Sequence, residues 1–162
     1  MTNNTTVENY LAALGPLAPA GYAIILHMRF VSPTFLLQSY SADWREIYLQ
    51  KGYAMVDPVV RWSYANRGTI TWDHLEDDDP SGVLKDAKNH GLIYGLVCAV
   101  GPENGHSFGG FSRSDRPFTA SETSEVADLT QKLHDATTNL TELSPETAAA
   151  LKEMSISYTQ PA

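Results

Sequence analysis

Apolar positions change their spacing along this chain, and each change predicts a different element. Over residues 6–14, Val7, Tyr10, Leu11 and Leu14 recur three and four apart, the period of a helix with one buried face, and Gly15-Pro16 predicts its end. Residues 22–31 and 34–38 are rich in branched and aromatic side chains around Ser32-Pro33, which predicts two strands joined by a turn. Helices are expected over 42–51 and 58–66, separated by Gly52, the second opened by Asp57 as N-cap with Pro58 at its first position. A short strand over 69–72 then leads into the acidic loop 76–79 and a helix over 81–90, with Gly91 as its stop. The runs 93–100 and 107–112 flank Pro102-Glu103-Asn104-Gly105, a strong turn signal, and predict a second strand pair. From 120 to 143 the residues Val126, Leu129, Leu133, Ala136, Leu140 and Leu143 alternate three and four apart. Such a seam fits a helix lying on a sheet or a dimer contact, and its narrowness favours the dimer. Two antiparallel pairs with helices between and after them give an α+β class, an antiparallel sheet with helices on its faces.

Composition narrows the partners. A chain of 162 residues that is 43% hydrophobic suits one domain with its own core. With 11 Lys+Arg against 19 Asp+Glu, the net charge of -8 has the wrong sign for a phosphate backbone, so no DNA binding is expected of this chain alone. The single cysteine, Cys98, sits in an apolar run and reads as a small core residue of a reducing compartment. No basic start with an apolar signal region and no apolar stretch of roughly 20 residues is present, so a cytoplasmic protein without membrane contact is expected. His27, His74, His90, His106 and His134 have no close His or Cys companion in sequence, and the acidic loop lacks calcium-loop spacing, so no metal or other cofactor is expected. Phosphate-loop and nucleophile-elbow motifs are absent as well, and the chain reads as a non-enzyme.

The stretch from Tyr40 to Pro58 carries the most chemistry. Tyr40, Trp44 and Tyr48 are four apart, which on a helix stacks them along one face, and each joins a large apolar body to one polar handle. Small-molecule pockets need mostly apolar walls with a few directed polar groups, and Asp57 adds a carboxylate acceptor for a ligand N–H. An aromatic core stripe has the same pattern, so the residues alone leave core and pocket both open.

The order Tyr40, Trp44, Tyr48, Tyr53, Asp57-Pro58-Val59, with Trp72 downstream, resembles the signature of the autoinducer-binding domain of LuxR-type quorum-sensing regulators. The resemblance continues through Gly91-Leu92, Gly95-Leu96, the Gly105 turn and Gly109-Gly110-Phe111-Ser112, covering roughly residues 5–140. It implies a GAF/PAS-like α-β-α sandwich, a five-stranded antiparallel sheet with helices on both faces, that binds an N-acyl-homoserine lactone between sheet and helices. In that likeness Trp44 matches the indole donor to the lactone carbonyl and Asp57 the acceptor of the amide N–H. Tyr40 and Ser112 match donors to the acyl carbonyl, and Tyr48 and Trp72 match pocket walls, with Tyr53 in the same cluster. Arg45, beside Trp44, reads either as a solvated helix charge, the favoured reading, or as a group that reaches a 3-oxo substituent through water. Val59 stands where some members carry Thr, and Ala99 where Pro is usual, which leaves acyl-chain preference open.

The likeness also implies an organisation. Residues 1–143 are expected to form the autoinducer-binding domain and 144–162 a linker and the start of a missing helix-turn-helix domain, since Leu143-Ser144-Pro145 resembles that domain's opening. A homodimer is expected, with DNA as partner only of a full-length parent. Three alternatives carry different chemistry: a truncated member pairing with full-length regulators, a ligand-free dimerisation domain, and a lactone hydrolase using Asp57 with His74.

Overall fold

The computed structural model describes residues 3–29 and 32–138, with side chains from residue 6 onward and apart from 29 and 32–34. Five strands form one antiparallel sheet: β1 (Gly21–Arg29), β2 (Ser32–Gln38), β3 (Gly68–Thr71), β4 (Tyr94–Val100) and β5 (Ser107–Arg113), in the spatial order β2-β1-β5-β4-β3. Helices α1 (Asn3–Leu17) and α5 (Ala120–Ala136) cover one face. The other face carries α2 (Ala42–Gln50), a 3-10 turn (Tyr53–Met55), α3 (Pro58–Ala65), a 3-10 helix (Trp72–Asp78) and α4 (Val83–Asn89). The chain is therefore the expected α-β-α sandwich.

Strand alternation sorts the side chains between two cores. Tyr22, Ile24 and Leu26 of β1, Leu96 and Cys98 of β4 and Phe111 of β5 pack with Val7, Leu11 and Leu14 of α1 and with Val126 and Leu133 of α5. Cys98 is the core residue the sequence indicated, and burial pushes its thiol up to about 11. On the opposite face Val97 packs with Tyr40, Trp44, Tyr53, Val59, Trp72, Leu75, Val83, Leu84, Ala87 and Leu92.

Several elements depart from the spacing argument. Helix α1 runs through Gly15 and Pro16, and Leu14 remains a fully buried core residue. The β1–β2 register pairs Met28 with Pro33 and Arg29 with Ser32, so Ser32-Pro33 belongs to a strand. A proline is tolerated there because β2 is an edge strand. Trp72 and most of the acidic loop form the 3-10 helix, and α4 begins at Val83 because the Asp79 carboxylate accepts the N–H groups of Val83 (3.0 Å) and Leu84 (2.8 Å). The seam of α5 is used within the fold: Val126 and Leu133 are completely buried against the sheet, with Leu129 and Ala136 packed beside them. That burial withdraws the described part of the seam from the dimer contact expected of it. Leu140, Leu143 and the 144–162 segment lie outside the described residues.

Candidate functional site

Two local sequence signals place the site. Ser41 caps α2, its hydroxyl accepting the Trp44 N–H at 3.3 Å, and Asp57 caps α3, its Oδ1 accepting the Val59 N–H at 2.8 Å. Trp44 and Tyr48, one turn apart on α2, face inward as expected. Tyr40 does not share that helix, because α2 starts at Ala42; it joins the cluster from the segment after β2, above the sheet. The Trp44 ring lies 6.0 Å from that of Tyr48 and 6.1 Å from that of Tyr53, and Tyr48 and Tyr53 are 5.9 Å apart in a T-shaped pair.

Glycines in the sheet provide the floor. A Cβ at Gly95 would stand 1.7 Å from the Trp72 ring, and one at Gly21 would stand 2.5 Å from the Tyr40 ring, so any larger residue would displace the aromatic side chain. Gly110 is central: a Cβ there would lie 3.6 Å from the Tyr40 hydroxyl and 3.7 Å from both Trp72 Cζ2 and Val59 Cγ1. The Tyr40 hydroxyl donates to the Gly110 carbonyl at 3.2 Å, and the fully buried Ser112 hydroxyl donates to the Gly21 carbonyl at 3.1 Å.

The polar groups here are buried and incompletely matched. Asp57 receives the Val59 N–H on one oxygen and the Tyr48 O–H on the other at 2.7 Å. A carboxylate has about four acceptor positions, so both oxygens retain capacity for another donor. Burial nevertheless raises its carboxyl from 3.8 to about 6, against the lowering effect of Tyr48 and Val59. Burial and the neighbouring Asp57 charge push the Tyr48 phenol far above its usual range, so the shared proton stays on Tyr48. Burial likewise raises Tyr40. Trp72 is 6% exposed, yet its indole N–H has no hydrogen-bond partner among the described residues, an arrangement that costs about 1–3 kcal/mol unless a partner arrives.

Tyr40, Trp44, Tyr53, Val59 and Trp72 thus share one buried cluster, with Tyr48 and Asp57 joined to it and Ser112 and Gly110 on the same strand below. Arg45 is half-buried on α2. His74 is exposed and lies beside Thr69, Thr71, Leu96 and Thr123 in an open hollow at the β3 edge. No hydrogen bond or ion pair joins it to Asp57, so the hydrolytic pair is not assembled. The hollow has no converging buried polar groups and is the poorer candidate for a ligand.

A domain-family model described as "Autoinducer binding domain" matches residues 20–136. The chain belongs to the autoinducer-binding domain family. It is 28% identical over 121 residues to the transcriptional activator protein LuxR of Aliivibrio fischeri, an alignment covering 72% of this chain and 45% of that protein. The chain spans about half the length of the curated relatives it matches. Among solved structures, SdiA in complex with octanoyl-rac-glycerol superposes with a TM-score of 0.66 at 20% identity, over 87% of this chain and 61% of that one. A GAF domain/HD domain protein of Geobacter sulfurreducens superposes at 0.56 and 13% identity, over 88% of this chain and 96% of that one, which places the fold among GAF-like sandwiches. The autoinducer-binding family is a ligand-binding part of regulators rather than an enzyme class. No helix among the described residues is long and apolar enough to cross a membrane.

Sequence reasoning missed a second polar group in the autoinducer-binding fold. His27 and His134, remote in sequence, place their rings 4.4 Å apart. His27 Nε2 lies 2.8 Å from Thr137 Oγ1 and 3.1 Å from the His134 carbonyl oxygen, while the Ser107 hydroxyl accepts the His27 N–H and sits 2.6 Å from His134 Nδ1. His27 adopts φ +53°, a left-handed backbone uncommon outside glycine. Nearby His106 places Nε2 3.2 Å from the Ser63 hydroxyl. The His27, His134, Ser107 and Thr137 contacts join the end of α5 to β1 and β5, and the His106 contact joins α3 to the start of β5. Only Thr137, one helical turn after Leu133, hinted in sequence at a polar end to that helix.

Proposed function

We propose that this domain binds an N-acyl-homoserine lactone between the sheet and α2–α3, as the sensing part of a LuxR-type transcriptional regulator. The observation that carries this reading is one buried cluster over the sheet, where Tyr40, Trp72 and Val59 meet above Gly110, the Trp72 indole N–H has no partner among the described residues, and the buried Asp57 carboxylate, held by Tyr48, keeps spare acceptor capacity. An amide N–H arriving at Asp57 makes a charge-assisted hydrogen bond, which is stronger than a neutral one and offsets the cost of the buried charge. Trp44 supplies the indole donor to the lactone carbonyl. Tyr40 and Ser112 donate to the acyl carbonyl, and Tyr48, Tyr53, Val59 and Trp72 form the walls around the ring and chain. Arg45 reaches a 3-oxo substituent through water. The organisation proposed is residues 1–143 as this domain and 144–162 as the link to a DNA-binding domain, with homodimerisation in the parent protein.

A second reading has one observation in its favour. The solved SdiA relative carries octanoyl-rac-glycerol, an acyl ester without an amide N–H or a lactone ring. Such a ligand would use the acyl-carbonyl donors and apolar walls and would offer Asp57 a glycerol hydroxyl in place of the amide N–H.

Thermal unfolding with N-octanoyl-L-homoserine lactone, its 3-oxo and long-chain analogues, and 1-octanoyl-rac-glycerol tests both readings. A ligand that binds only the folded state raises the melting temperature with its concentration. Stabilisation by lactones that is abolished in Trp44→Phe supports the first reading, and stabilisation by the glycerol ester alone supports the second. No stabilisation across the panel refutes both. Mass spectrometry of the bound lactone distinguishes retention from ring opening.

A further inference from the structure

We propose that Asp86 on α4 is a positioning residue for the ligand site, a latch that holds the α2 wall closed and sets how fast ligand enters and leaves. This rests on the ligand reading above and assigns a role to a residue outside the pocket.

Asp86 ties two rings of the wall. Its Oδ2 accepts the Tyr53 hydroxyl at 2.6 Å and the Lys51 ammonium at 3.0 Å, and the Lys51 ammonium also lies 5.7 Å from the centre of the Tyr53 ring. One turn later, at the C-cap of α4, His90 places Nδ1 3.6 Å from Asp86 Oδ1 and 2.9 Å from the Asp86 carbonyl oxygen. The His90 ring lies 5.4 Å from that of Trp44. One carboxylate thereby fixes Tyr53 directly and Trp44 through His90. Tyr53 and Lys51 hold its carboxyl below the ordinary carboxylate range, so the latch stays charged at neutral pH.

The contacts are layered from solvent inward. The Lys51 side chain is 55% exposed and that of Asp86 17%, while Tyr53 and Trp44 are buried. The two sides of the latch are anchored unequally. Helix α4 buries Val83, Leu84 and Ala87 in the core of this face. Helix α2 fully buries Trp44 and only partly buries Ile47 and Tyr48, while its Leu49 and, in the 3-10 turn after it, Met55 lie almost wholly in solvent. An element with so few buried apolar contacts opens at low free-energy cost. Gly52, at φ +63°, joins α2 to the 3-10 turn in a backbone conformation other residues rarely adopt. A lightly anchored wall beside a pinned helix makes the polar tie between them the element that limits opening.

Stopped-flow tryptophan fluorescence with N-octanoyl-L-homoserine lactone tests the latch in wild type and Asp86→Ala. Losing a hydrogen-bonded carboxylate from the closed state is expected to raise the association and dissociation rates together by about tenfold or more, with Kd changed less than about threefold. Unchanged rates overturn the proposal, as does a weakened Kd with an unchanged association rate. Failure of the wild type to bind this lactone counts against the ligand reading and not the latch, which has a separate measurement. In ligand-free protein labelled with 5-fluorotryptophan, Asp86→Ala or the milder Tyr53→Phe is expected to shift and broaden the Trp44 fluorine resonance, assigned through Trp44→Phe, while that of Trp62 stays in place. A Trp44 resonance unmoved in both variants overturns the latch.

Discussion

Asp57→Asn separates two demands placed on one carboxylate. Burial raises Asp57 from 3.8 to about 6 even though Tyr48 and Val59 hydrogen-bond its charged form. A carboxyl whose folded pKa lies above its unfolded value stabilises the fold while protonated. That contribution is fully present below pH 3.8 and is lost as pH rises through about 6. The difference of roughly two pH units amounts to about 3 kcal/mol held against the ligand-free fold at neutral pH. Asparagine keeps its Oδ1 for the Val59 N–H, turns its amide N–H towards the Tyr48 hydroxyl oxygen, which then accepts, and carries no charge. Ligand-free Asp57→Asn is therefore expected to be more stable than wild type at pH 7.5 by up to about 3 kcal/mol, or roughly 6–12 °C for a domain of this size. The advantage should shrink between pH 6 and 4 and vanish near pH 4. Urea unfolding across that range measures it. Affinity for N-octanoyl-L-homoserine lactone is expected to fall about 10–100-fold in the same variant, because the amide loses a charged acceptor. A variant less stable than wild type at pH 7.5, or a difference independent of pH, would refute the reasoning.

Gly95→Ala drives a methyl group into the Trp72 ring and is expected to cost about 1–3 kcal/mol in urea unfolding and to lower ligand affinity; wild-type values for both would mean that Trp72 does not rest on this strand. Burial depresses His106 from 6.5 to about 4, aided by the nearby charge of Arg67, and a histidine so lowered contributes stability that is lost as pH falls from 6.5 towards 4. Asp57 has the opposite sign in that window, so the comparison belongs in the Asp57→Asn background, where His106→Asn should flatten the acid side of the stability profile and an unaltered slope would count against it. Thr119 and Glu122 form a reciprocal capping box at the start of α5, and Thr119→Ala is expected to cost about 1 kcal/mol in the same assay.

Much of this fold was legible from local signals. The Asp57-Pro58 helix start, the Gly91 stop and the turn through Gly105 all stand where spacing and cap chemistry placed them, because each depends on backbone geometry within a few residues. The strand pair flanking that turn also stands where the apolar runs placed it, as β4 and β5. Boundaries failed where a distant partner intervened. Helix α1 outlasts Gly15-Pro16 and carries Leu14 fully buried among side chains of α5 and the sheet, and α4 starts late because Asp79 reaches forward to cap it.

The α5 seam shows the limit of periodicity: a stripe three and four apart states that one helix face is apolar and is silent about what covers it. The sheet covers Val126 and Leu133 here. The candidate site divides in the same way. The amino-acid order alone put Trp44 and Tyr48 on one helix face, made Asp57 a cap and carried the family likeness, since those features are local or are read as a pattern. Only the tertiary structure brought Gly21, Gly95 and Gly110 beneath the aromatic rings, matched Tyr48 to Asp57, left the Trp72 indole without a partner and set Asp86 against Tyr53. Each of those relations joins different elements across the sheet or between helices, and burial, which moves Asp57 to about 6, exists only once the elements have packed.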